Sequence, residues 1–152
     1  MAIPREPIQL VLDIAAHHTK NKGDFAVLKA LVSISEHGLL PLLPISEHAP
    51  FDIVAYGVSK FYRIQVKYKK LSKRGTLDIS FRKNWSDSKG TYSKPIEKSE
   101  IDLFIVYNPE TDLCYFFNPQ LFNKSISIRI EKAKNNQEKG VLFAKDFLDW
   151  TP

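Results

Sequence analysis

The chain has 152 residues, 43% hydrophobic and 26% charged, which is enough apolar material for one folded domain and argues against disorder. Its formal net charge of +5 points to an anionic partner, either nucleic acid or a membrane surface. The single cysteine, Cys114, excludes an internal disulfide and fits a reducing, intracellular setting, cytoplasm or nucleoid.

Residues 7–18 predict a first helix, with Leu10, Val11, Ile14 and Ala15 on one side. The apolar stretch "IQLVLDIAA" is short, is broken by Asp13 and lacks a small-residue cleavage pattern. It is expected to be neither a secretory signal nor a membrane span, and no membrane contact is expected. Gly23 interrupts, and "DFAVLKALVSISEHG" predicts a second helix that Asp24 caps and Gly38 ends. Its apolar stripe is Phe25, Leu28, Leu31 and Val32.

"LLPLLPISEHAP" reads as proline-rich connector with room for a short edge strand. "FDIVAYG" and "FYRIQVKYK" predict two strands of a hairpin turning through "GVSK", and "TLDISF" predicts a third strand. "RKNWSDSKGTYSKP" reads as a long polar loop, of the kind that is usually functional or disordered. "IDLFIVY" and "LCYFFN" predict a strand pair about the turn "NPETD". "SISIRI" predicts a further strand, and "VLFAKDFLDW" a closing helix or strand. The order implies a single α/β domain over 1–152, with 1–18 as a helical extension and one central mixed sheet flanked by helices.

The positive charge is local. Between Arg63 and Lys94 only Asp78 and Asp87 oppose ten cations, so this segment carries more positive charge than the whole chain nets. Candidate nucleic-acid contacts are therefore Arg63, Lys69, Lys70, Lys73, Arg74, Arg82, Lys83 and Lys89, with Trp85 and Tyr92 as stacking partners. A solvated strand face accounts equally for Lys69 and Lys70, and loop aromatics often only pin a loop. The four histidines, His17, His18, His37 and His48, lack zinc-site spacing.

The strand "RIQVKYKK" poses a question of chemistry. Alternate residues of a strand share a face, so Gln65 and Lys67 point one way, roughly 7 Å apart, while Ile64, Val66 and Tyr68 point the other. Hairpin pairing brings Asp52 level with them or just beyond. Asp52 and Gln65 offer hard oxygens that suit Mg2+ or Mn2+, and Lys67 adds a positive charge beside them. Such a set could activate water and stabilise charge on a phosphate in its transition state.

"FD", followed after twelve residues by "QVK", resembles the PD-(D/E)XK nuclease signature, with Gln65 in its variable acidic position. "TKNKGDFA", "LPISEHAPFDIVAY", "IDLFIVYNPETDLCYFF" and "IRIEKAKNNQ" widen the match to the group I intron homing endonucleases built on that fold. The resemblance implies a restriction-endonuclease-like core and catalytic roles for Asp52, Gln65 and Lys67. It further implies double-stranded DNA as partner, a divalent metal as cofactor, and a homo-oligomer, dimer or tetramer, because each chain holds one site. A helix glutamate of the pattern falls where this chain has Val27, so Asp24 or Glu47 is expected as the substitute metal-binding acid. Other nucleases of the same fold, junction resolvases or restriction enzymes, and a DNA-binding module without catalysis are the alternative readings.

Overall fold

The computed structural model describes residues 19–131 and 139–150. The helix expected over 7–18 and the segment "KAKNNQ" lie outside the described residues.

One α-helix, α1 (Thr19–Glu36), opens the described chain. Ten strands follow: β1 (Leu40–Leu42), β2 (Ile53–Gly57), β3 (Lys60–Tyr68), β4 (Thr76–Ser80), β5 (Arg82–Asp87), β6 (Gly90–Pro95), β7 (Leu103–Asn108), β8 (Leu113–Phe117), β9 (Ser125–Arg129) and β10 (Leu142–Phe143). Among the described residues no helix is long and apolar enough to cross a membrane.

Gly23 does not interrupt the helix as expected; α1 runs through it. Glycine there costs about 1 kcal/mol relative to alanine, and the burial of Ala26, Ala30 and Ile34 on the same helix outweighs that cost. At the other end Gly38, at φ +77°, turns the chain. Its amide donates to the Ser35 carbonyl at 2.9 Å, and the Leu39 amide to that of Ile34 at 3.2 Å, closing the helix with a left-handed residue as glycine allows.

The central sheet has five strands in the order β1-β2-β3-β7-β8. β3 and β7 are parallel and the other pairs antiparallel. β2 and β3 meet through a two-residue turn in which Val58 and Ser59 both take positive φ, 51° and 61°. Two left-handed residues in a row match the twist of a tight hairpin, although valine is a strained choice for one of them.

The two faces of this sheet bury separate cores. On one, Ala26, Ala30 and Ile34 of α1 pack over Ile53, Ala55, Ile64, Val66 and Ile105. On the other, Phe104, Val106, Tyr115 and Phe117 meet Leu77, Ile79, Ile126 and Ile128. Those last four belong to a second sheet of order β10-β9-β4. The mixed α/β sheet is as expected; among the described residues α1 covers one of its faces and a small sheet the other. "TLDISF" and "SISIRI" alternate with period two, so they present a flat apolar face that only a strand can offer.

A correction concerns residues 82–95. They form a two-stranded antiparallel ribbon, β5 with β6, rather than a loop. The closing segment combines both expectations in short form, β10 followed by a 3-10 turn over Ala144–Phe147.

Candidate active site

Asp52 sits one residue before β2, where the register sets Ile53 opposite Ile64. Its amide donates to the Ile64 carbonyl at 2.9 Å. Its Oδ2 accepts two bonds from β3, from the Val66 amide at 2.8 Å and from Gln65 Nε2 at 2.5 Å. The carboxylate therefore closes back on the strand that carries Gln65 and Lys67. Ile64 and Val66 of that strand face α1 and are buried, so Gln65 and Lys67 project from the opposite face of the sheet. Lys67 Nζ donates to the carbonyl of Arg82, the first residue of β5, and lies 5.9 Å from the Phe104 ring centre.

The charges of this cluster work against their hydration. Burial pushes the Asp52 carboxyl above its ordinary pKa, and this exceeds the opposing pull of the Val66 amide, Lys83, Gln65 and Lys67. Burial also pushes the Lys67 ammonium down, helped by the like charge of Lys69 and resisted by Asp52. The two groups attract, yet in each the lost hydration dominates. Such a site favours both a cation beside Asp52 and an anion beside Lys67.

Asp52 Oδ1 and Gln65 Oε1 accept no hydrogen bond among the described residues, which leaves one hard oxygen free on each of two bonded side chains. That donor set fits a small hard cation in part. Among the described residues no group of three or more His, Cys, Asp or Glu side chains could hold a metal ion. Asp24 is exposed on α1, Glu47 is exposed in the segment before β2, and neither hydrogen-bonds Asp52. Val27, where the resemblance implies a glutamate, packs against the core on the α1 side of the sheet, away from the face that carries Gln65 and Lys67.

The basic residues fall into separate groups. Arg63 is committed: its guanidinium donates to both oxygens of Asp102, at 2.9 Å each, and its amide donates to Oδ2 at 2.7 Å. Lys69 and Lys70 are exposed just past the end of β3. Lys73 and Arg74 line a cleft of about 530 Å3 with Asp78 and Arg129. Arg82, Lys83 and Lys89 belong to the ribbon and its turn, where Trp85 and Tyr92 stack on each other across the strands at 5.4 Å. Lys83 and Lys94 line a second cleft, about 440 Å3, with His48, Pro50, Glu97 and Glu100. Sequence reasoning missed the Asp102 partner of Arg63, and also Lys94 and Arg129 as cleft residues. "EIDLF" held a signal for Asp102, because it repeats the Asp-before-strand pattern of "FDIVA".

The model of the family described as PD-(D/E)XK endonuclease matches residues 17–150. No curated protein matches the chain. Among solved structures, a bacterial homing endonuclease, I-Ssp6803I, is similar with a TM-score of 0.69 and 21% identity, over 86% of this chain and 88% of that one. The Holliday junction resolvase Hjc of Archaeoglobus fulgidus aligns with a TM-score of 0.44 and 19% identity, over 71% of this chain and 84% of that one.

Proposed function

The chain belongs to the PD-(D/E)XK endonuclease family, and from that premise we propose that it is a site-specific double-strand DNA endonuclease of the homing type. The observation that carries this reading is the cluster of Asp52, Gln65 and Lys67, joined through the 2.5 Å bond from Gln65 to Asp52. Nucleases of this family generally use divalent metals.

Asp52 Oδ1 and Gln65 Oε1 would hold Mg2+ or Mn2+. The chemistry such an ion would supply when bound is a more acidic water and neutralisation of phosphate charge. Asp52 orients the Gln65 amide, and Val66 orients Asp52, so the two oxygens are fixed before substrate arrives. Lys67 places its ammonium against a non-bridging phosphate oxygen, where negative charge grows as water adds and the phosphorus–oxygen ester bond breaks. The attacking water gives up a proton to solvent, and the leaving sugar oxygen takes one from it. With one such cluster per chain, cutting both strands calls for a symmetric pair or a pair of pairs.

The test is cleavage of plasmid and of a target library with magnesium or manganese by the parent, Asp52→Ala and Lys67→Ala. Both variants should lose cutting while DNA affinity stays within about threefold, since phosphate contacts elsewhere supply most of the binding. Undiminished cutting by either variant rejects this site. Binding without cutting by the parent rejects the nuclease reading in favour of a DNA-binding module.

A further inference from the structure

The β5–β6 ribbon stands out from the body of the protein. All its residues are exposed except the half-buried Arg82. Four cations, Arg82, Lys83, Lys89 and Lys94, share it with a single acid, Asp87. Its base is fixed to the body twice, by the Lys67 ammonium on the Arg82 carbonyl and by the Ile96 amide on the Phe81 carbonyl at 3.1 Å. The ribbon therefore starts beside Lys67 of the proposed site of cutting.

Its cross-strand register sorts the side chains. Lys83 pairs with Lys94 and Trp85 with Tyr92, which share one face; Asn84 pairs with Ser93 and Ser86 with Thr91, which share the other. On the first face the stacked rings, with Lys94 6.0 Å from the Trp85 ring centre, stiffen the ribbon. Lys83 and Lys94 of that face line the cleft beside Pro50. The second face carries short hydrogen-bonding groups, and Arg82 is held there by bonds to Ser93 Oγ at 2.8 Å and the Ser93 carbonyl at 3.0 Å.

We propose, on the premise of the nuclease reading, that this ribbon enters the major groove of duplex DNA and divides its labour by face. Asn84, with Ser86 beside it, reads base edges, and Lys83 and Lys94 hold backbone phosphates near the cut. The major groove is about 12 Å wide and admits a two-stranded ribbon. Asparagine pairs bidentately with adenine, and serine accepts either partner type. Lysines take phosphate without regard to sequence.

The experiment selects bound sequences from a pool of randomised duplexes, in buffer without divalent metal, for the full chain and three variants. The parent should enrich a motif. Asn84→Ala with Ser86→Ala should weaken the preference at one or more positions by about tenfold, with the salt dependence of binding retained. Asn84→Asp should move the preferred base at its position from adenine towards cytosine, whose amino group a carboxylate accepts. Lys83→Ala with Lys94→Ala should weaken all sequences alike and reduce the slope of log affinity on log salt by about two. An unchanged motif in both Asn84 variants overturns the proposal, as does an altered motif in the lysine variant. A parent that binds with no motif in the selection, and cuts DNA once magnesium is added, also overturns it, while leaving the nuclease reading intact. A parent that binds no DNA overturns both.

Discussion

Two aspartates close on the same strand from opposite sides. Asp52 precedes β2 and Asp102 precedes β7, and each binds a β3 amide, Val66 at 2.8 Å and Arg63 at 2.7 Å. Their amides also donate to β3 carbonyls, of Ile64 and Arg63, both at 2.9 Å. Backbone geometry makes them near equivalents. Their partners separate them. Asp102 faces a guanidinium that holds its carboxyl below the ordinary range, whereas the side chain bonded to Asp52 is a neutral amide and burial holds its carboxyl above that range. A fully paired carboxylate fastens the sheet; one left short of positive charge in a partly buried place is suited to take up a cation.

The largest effect should follow from neutralising the unpaired member. Asp52→Asn keeps the shape and should lower cutting by about a thousandfold or more. The same variant should be more stable, by about 1 kcal/mol, because functional sites trade stability for charge. Cleavage assays and denaturant titration of one preparation check both halves. A variant that is inactive and less stable would break the contrast between the aspartates.

Asp102→Ala should show the reverse pattern. It leaves the Arg63 amide and guanidinium without their acceptor and should cost about 2 kcal/mol, a figure kept modest because both side chains are partly exposed. Cutting per folded molecule should survive, measured well below the variant's melting range.

Acidity should separate the two carboxyls further. Asp52 has a raised folded pKa, so its contribution to stability is greatest below the unfolded value and falls as pH rises through the folded one. Asp102 has a lowered folded pKa, so its contribution is present above the unfolded value and is lost as pH falls through the folded one. Denaturant midpoints from about pH 3 to pH 7 should show Asp52→Asn gaining on the parent as pH rises and Asp102→Ala converging on it as pH falls.

The smallest change is a reference that touches neither aspartate. Val58→Asn with Ser59→Gly suits the left-handed turn between β2 and β3 and should add about 0.5–1 kcal/mol at every pH, read from the same denaturant midpoints.

Legibility in the sequence followed burial. β2, β3, β7 and β8 could be read because their apolar faces repeat or run unbroken, and Asp52, Gln65 and Lys67 stood out as polar residues where that pattern predicts core. The ribbon could not be read in this way. Neither of its faces is buried, so no period appears in "RKNWSDSKGTYSKP". Its remaining signals were the turn at Asp87, whose Oδ1 accepts from the Lys89 and Gly90 amides at 2.7 and 3.1 Å, and the symmetric placing of Trp85 and Tyr92. Gly23 misled because propensity is local while helix burial is not. The Arg63–Asp102 pair spans 39 residues, a separation at which charge pattern alone names no partner.

Pro41 sits at the centre of β1, the three-residue strand on the margin of the main sheet. Proline has no amide hydrogen, so an incoming strand finds no donor at the middle of that border. The sheet thus ends there, and copies of the chain are discouraged from joining backbone to backbone along it. Leu40 and Leu42, exposed on either side, remain open to contact through side chains alone.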